Sequence, residues 1–138
     1  MKKFFIWLSA FLIVNASLIV ATHFYMLSNP NKILFAIDTS YNMKSVWNKV
    51  LKELDRYNNK RYTKYSLITD KILIHSWEDN LLVDKISNLK VYGPREIEQF
   101  YDSNKYKELK EANVIYIITN DNNVKAKNKK YKIIIIKD

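Results

Sequence analysis

Residues 33–43 read ILFAIDTSYNM. Ile33 to Ile37 form an uninterrupted apolar run that stops at Asp38, with Thr39, Ser40 and Asn42 close behind. A short continuous apolar run is the pattern of a strand buried on both faces, as in a parallel sheet. A carboxylate and two hydroxyls directly after it admit two readings. They are oxygen donors for a hard divalent cation, or they cap the helix that follows.

Working outward, Met43, Val46, Trp47, Val50, Leu51, Leu54 and Tyr57 recur at intervals of three and four, one face of an amphipathic helix. Lys44, Asn48, Lys49, Lys52, Glu53 and Arg56 fill its other face, and Asn58 to Arg61 ends it. Residues 65–77, YSLITDKILIHSW, read as two strands meeting at Asp70-Lys71 in a tight antiparallel hairpin. Residues 80–89 predict a short helix. Gly93, the single glycine, and Pro94 mark a turn, and Pro94 suits the first turn of a helix running to about Ala112, with a break near Asp102 to Asn104. Val114–Thr119 and Tyr131–Ile136 are two further apolar strands, joined by the polar, basic stretch 120–130. Strands alternating with helices predict an α/β fold with a mainly parallel sheet, the hairpin supplying one antiparallel edge strand.

Upstream, residues 4–27 are apolar for longer than the roughly 20 residues a bilayer core requires. A cleaved signal peptide is the rival, but its apolar region spans only about 7–15 residues. The expected organisation is a short N-terminus (1–3), a transmembrane anchor (4–27) with Trp7 and Tyr25 near its two ends, a linker (28–32) and one domain (33–138). Lys2 and Lys3 place the N-terminus in the cytoplasm and the domain on the periplasmic or extracytoplasmic side of an inner membrane. Of the 23 basic residues, the 21 beyond Lys2 and Lys3 face 14 acidic ones, so the domain is basic. Outside the cytoplasm that surface does not meet nucleic acid. The basic strip Lys125 to Lys132 is a solvated loop or a contact for anionic lipid headgroups. Asn15 and Ser17, polar within the anchor, point to helix–helix contact.

The absence of cysteine excludes disulfides, thiolate metal sites and a lipoprotein acyl anchor. A single glycine leaves no phosphate-cradling loop. His23 and His75 lack metal-ligand spacing and read as structural or interfacial. Glu96 and Glu98 suit a first helical turn, where the dipole favours acids. No serine sits in a nucleophile elbow.

Taken in order, ILFAIDTSYNM, YSLITDKILIHSW, LKVYGPREIEQF and VIYIITND resemble the von Willebrand factor A family, a Rossmann-like fold. In that family the first strand ends in Asp-x-Ser-x-Ser, and those side chains help hold a divalent cation, usually magnesium. The resemblance implies ligand positions at Asp38, Ser40, Asn42, Arg95 and Asn120, with Asp121 adjacent. Asn42 stands where the family has serine, Arg95 where it has threonine and Asn120 where it has aspartate. A permanently charged arginine repels a cation, and a guanidinium–carboxylate pair can replace one. Three readings of Asp38 follow: helix cap, former metal site filled by Arg95, or working site at Asp38, Ser40 and Asp121.

The C-terminal half is short for the family. One face of the sheet is therefore expected to lack cover, with Ile133 and Ile135 on one side and Ile134 and Ile136 on the other. Trp77 and Tyr92 are further contact candidates. The resemblance implies a non-enzymatic module, without cofactor, that binds, stabilises or helps assemble an integral membrane protein complex. A flagellar stator, a secretion machine and a respiratory complex serve as examples. The alternatives are a magnesium-dependent adhesion module and a phosphotransfer domain with Asp38 as nucleophile.

Overall fold

The computed structural model describes residues 2–137, so Met1 and Asp138, the outermost positions of the expected assignments, lie outside the described residues. The chain divides at Pro30/Asn31 into two units.

The first unit is one helix, α1 (Lys2–Ser28), long and apolar enough to cross a membrane. Its 27 residues span about 40 Å. Asn15 Nδ2 donates to the Phe11 carbonyl at 2.8 Å and Ser17 Oγ to that of Ile13 at 2.9 Å. One polar hydrogen of each is thus spent on the helix's own backbone.

The second unit is a five-stranded sheet of order β3-β2-β1-β4-β5. β1 (Asn31–Ile37) lies at its centre, paired in parallel with β2 (Thr63–Thr69) and β4 (Val114–Thr119). β5 (Tyr131–Ile135) extends the parallel run beyond β4, and β3 (Leu73–Glu78) is the antiparallel edge. β1 begins at Asn31, so only Asn29 and Pro30 lie between α1 and the sheet, fewer than the expected linker.

The uninterrupted apolar run of β1 is explained by two cores. Ile33, Phe35 and Ile37 pack with Met43, Val46, Val50 and Leu54 around α2 (Trp47–Asp55), and with Ile86 of α3 (Val83–Ser87). Leu34 and Ala36 face the other side, against Phe100, Tyr106 and Leu109, the last from α4 (Glu108–Glu111). Each alternate residue of β1 therefore meets a packed layer, which removes any need for a polar face.

Three expectations need correction. The first amphipathic helix starts at Trp47, not Met43, and stops at Asp55. Tertiary bonds hold the preceding segment out of helix: the Tyr41 N–H donates to the Gly93 carbonyl at 3.1 Å, and Asn120 Nδ2 to that of Asn42 at 2.7 Å. Residues 41–43 form a 3-10 turn instead. The long helix expected from Pro94 to Ala112 is a 3-10 turn at Ile97–Tyr101 followed by the four-residue α4. Glu96 is neither helical nor extended (φ −130°, ψ 54°), and the Asp102 carboxylate takes the Asn104 N–H at 2.9 Å in a local turn that competes with helix.

The third correction concerns β5. Ile134 and Ile136 pack into the α2-side core, and Ile133, partly buried, packs against the core on the other side. Only Ile135 of these four is exposed, at 37%. Trp77 is half-buried, its Nε1–H donated to Glu111 Oε2 at 2.7 Å while Lys32 lies over its ring. Tyr92 is exposed.

His75 in β3 is buried, with Nε2 lacking a hydrogen-bond partner and Nδ1 2.8 Å from the Ser76 carbonyl. Burial pushes its pKa below the ordinary value, the Ser76 carbonyl opposing and Lys85 reinforcing the shift. The fold therefore favours the neutral ring, while the unfolded chain protonates near pH 6.5. Stability is fully present above that pH and declines as pH falls from it toward the folded-state pKa. His75→Leu is expected to flatten this decline; chemical unfolding of the detergent-solubilised chain between pH 7 and 5 measures it.

Candidate functional site

In an open parallel sheet, sites form at the carboxyl ends of the strands where connections leave in opposite directions. Here that point lies between β1 and β4, since the chain passes from β1 outward to β2 and β3 and later returns to β4 on the other side. The register pairs Ile37 with Ile118. Asp38 and Thr119 follow them side by side, and the Asp38 N–H donates to the Ile118 carbonyl at 3.0 Å.

Asp38 is fully buried. Its Oδ1 accepts the Ser40 N–H at 2.9 Å. Its Oδ2 accepts the Thr119 hydroxyl at 2.8 Å and Arg95 Nε at 2.7 Å. The same guanidinium donates through Nη1 to Asp121 Oδ2 at 2.9 Å and through Nη2 to Asn120 Oδ1. All three guanidinium nitrogens are thus engaged across the ends of β1 and β4. The positive φ of Gly93 (+76°) turns the chain so that Pro94 to Glu96 can cross this edge.

A matching arrangement stands on the other side of the same loop. Asp70, after β2, is also fully buried. Its Oδ1 accepts the Thr39 N–H at 3.0 Å and the Thr39 hydroxyl at 2.6 Å, and its Oδ2 accepts Lys71 Nζ at 2.7 Å. Lys71 also reaches Glu96 Oε1 at 3.3 Å and the Pro94 carbonyl at 2.7 Å. Burial works against the Lys71 charge, but the bonds and charges of Asp70 and Glu96 outweigh it and raise its pKa. Tyr106, whose hydroxyl donates to the Thr69 carbonyl at 2.9 Å, is pushed up to about 12 by burial and by Asp70 and Glu96. Each buried aspartate thus binds one loop N–H, one hydroxyl and one cation.

The structure therefore brings Asp38, Ser40, Arg95, Asn120 and Asp121 together. Asn42 joins through its backbone carbonyl only. The helix-cap reading of Asp38 is corrected: α2 starts nine residues later, after Val46, and neither α2 nor the 3-10 turn has a side-chain cap. Asp38 instead closes a two-residue turn onto Ser40. Sequence reasoning missed Asp70, Thr39, Lys71 and Thr119. One signal was present, since Asp70 ends its strand as Asp38 ends β1.

A divalent cation does not fit these donors as they stand. Arg95 occupies the space between Asp38 and Asp121 with a fixed positive charge. Among the described residues, no three acidic or histidine side chains gather as a cation site needs. Ser40 Oγ is buried without a hydrogen-bond partner. With both Asp38 oxygens engaged, the carboxylate is also poorly disposed as a nucleophile.

No family model matches the chain, and no curated protein or solved structure matches it.

Removing one partner of a buried ion pair leaves an uncompensated charge. Arg95→Ala is expected to lose roughly 3 kcal/mol of stability, and Asp38→Asn in that background to recover much of it. Asp121 is one-quarter exposed, so Asp121→Asn should cost under about 1 kcal/mol. The Asn123 N–H, and then Arg95, hold the Asp121 carboxyl below its ordinary pKa against the opposing effect of burial. Its stabilisation is present above the unfolded-state pKa and is lost as pH falls through the folded-state value. Urea unfolding of the three variants from pH 7 to 3 checks both statements.

Proposed function

We propose that this chain is a single-pass membrane protein with a degenerate von Willebrand factor A-type domain on the extracytoplasmic side. It binds, stabilises or helps assemble an integral membrane protein complex, and it does so without enzymatic activity. The observation that carries this reading is the Arg95 guanidinium bridging Asp38, Asp121 and Asn120. The arginine supplies within the chain the positive charge that a cation supplies in the family this sequence resembles. A permanent internal cation makes the loop edge independent of metal. The strand order and the meeting of Asp38, Ser40, Arg95 and Asn120 at one edge support the resemblance. The length and apolarity of α1 support the anchor.

The test is co-purification of the tagged full-length chain in mild detergent, with and without a chelator. A stoichiometric membrane protein retained in both conditions is the expected result. A partner lost on chelation, together with magnesium binding in calorimetry that Asp38→Asn abolishes, would replace this reading with the metal-dependent adhesion module.

A further inference from the structure

Packed layers cover both faces of the sheet, but its β5 edge is open. The register of β5 against β4 runs unbroken from the Ile115–Tyr131 pair to the Thr119–Ile135 pair. The Ile115 N–H donates to the Lys130 carbonyl and the Ile136 N–H to that of Thr119, each at 2.9 Å. Even-numbered residues of this strand therefore turn their backbone groups toward β4, and Tyr131, Ile133 and Ile135 turn theirs to the open side. Among the described residues, nothing bonds the outward N–H and carbonyl of Ile133 and Ile135. Ile135 is also exposed, and Lys132 lies over the Tyr116 ring of β4, away from the edge. The other edge strand, β3, is interrupted by two register shifts against β2, which blunt it as a template for pairing.

We infer that β5 pairs antiparallel with β5 of a second copy of this chain, joining two five-stranded sheets into one continuous sheet about a two-fold axis at Ile134. The edge selects this occupant because it complements itself in one register. An axis at Ile134 sets Ile133 opposite Ile135 of the second copy. Such a pair exchanges both N–H···O bonds, and its symmetry mate does the same, so every open group of Ile133 and Ile135 is used on both copies. An axis at Ile133 would need the Tyr131 N–H, which already donates to the Asn128 carbonyl at 3.1 Å. An axis at Ile135 would need the Lys137 carbonyl, which already accepts Lys49 Nζ at 2.7 Å.

Side chains favour the same register. It places Lys132 opposite Ile136 and Lys137 opposite Tyr131, so no like charges meet across the seam. Ile135, exposed in the single chain, gains Ile133 of the second copy as its cross-strand neighbour. This pairing depends on neither the membrane anchor nor the family resemblance.

The chain has no cysteine, so Ile134→Cys introduces a single thiol, placed on the axis. Residues facing each other in a non-hydrogen-bonded antiparallel pair have Cα atoms about 4.5 Å apart, within disulfide reach. Mild oxidation of the full-length variant in detergent is expected to yield a disulfide-linked dimer. Ile72→Cys, an exposed control at the β2–β3 turn, is expected to stay unlinked. Sedimentation equilibrium in density-matched detergent is expected to find a dimer of the unsubstituted chain. Ile135→Lys sets a charge against Ile133 of the second copy and is expected to weaken that dimer by about tenfold or more, with the circular dichroism unchanged. A chain that stays monomeric overturns the proposal. A dimer that persists in Ile135→Lys while Ile134→Cys does not cross-link assigns self-association to α1 and also overturns it. So does an Ile134→Cys chain that, oxidised in its native membrane, links to a different protein, since a partner's strand then holds the edge.

Discussion

A buried carboxylate without compensation is among the most expensive things a small domain can contain. Asp38, at the end of the central strand, is that group, and much of the loop architecture follows from neutralising it. Arg95 must reach it from a segment far away in sequence. Residues 93–96 therefore cross the sheet edge as irregular chain, the left-handed turn at Gly93 aims them, and helix does not begin at Pro94. The same guanidinium fixes the first residues after β4 through Asn120 and Asp121. Asn120 in turn takes the Asn42 carbonyl, which keeps residues 41–43 out of α2. This ion pair thus acts with the Tyr41–Gly93 bond and the local turn at Asp102 where two helices fail to form.

The Asp70–Lys71 pair repeats the solution one strand away. The loop after β1 is held between the two pairs, its Thr39 N–H donated to Asp70 and its Ser40 N–H to Asp38. Lys71 and Arg95 also share a neighbourhood, since Lys71 bonds the Pro94 carbonyl and Glu96 on either side of Arg95. Such networks gain from being completely satisfied and are fragile when partly satisfied. The orphaned Ser40 hydroxyl is the one buried side-chain atom of this loop left out.

The sheet was legible because its signal is periodicity and apolar continuity, which depend on burial alone. Ile33 to Ile37, Val114 to Thr119 and the hairpin across Asp70 all read correctly, as did the burial of Met43, Val46, Val50 and Leu54. The helix ends did not, because they are set by tertiary bonds that no local window contains. The 41–43 turn depends on Gly93 and Asn120, and the interrupted 94–112 segment depends on Asp38 and on the local turn at Asp102. The gathering of Asp38, Arg95 and Asn120 was legible only through the family resemblance, which aligned all three as ligand positions; the chemistry of an arginine then suggested a stand-in for a cation. Asp70 was not, because an aspartate in a hairpin reads as an ordinary turn residue. Its burial follows only from the parallel alignment of Ile37 with Thr69.

Arginine and a bound metal differ as devices even where they neutralise the same carboxylate. Metal affinity depends on concentration and pH, and an incomplete coordination shell lets a metal take a ligand from a partner. A guanidinium is present whenever the chain is folded, and here its three nitrogens are committed to Asp38, Asp121 and Asn120. The Arg95 edge therefore has no open coordination position to offer. On the proposed reading, recognition of a partner falls to the surfaces around that edge and to the anchor, with the ion pairs holding the loops in a single arrangement. Tyr41 and Tyr92 fit such a division of labour. Both are exposed, and both are fixed by backbone bonds within the braced segment, Tyr41 to Gly93 and Tyr92 to Thr39. Aromatic side chains on a rigid support lose little conformational entropy on contact, which is the condition under which they contribute most to association.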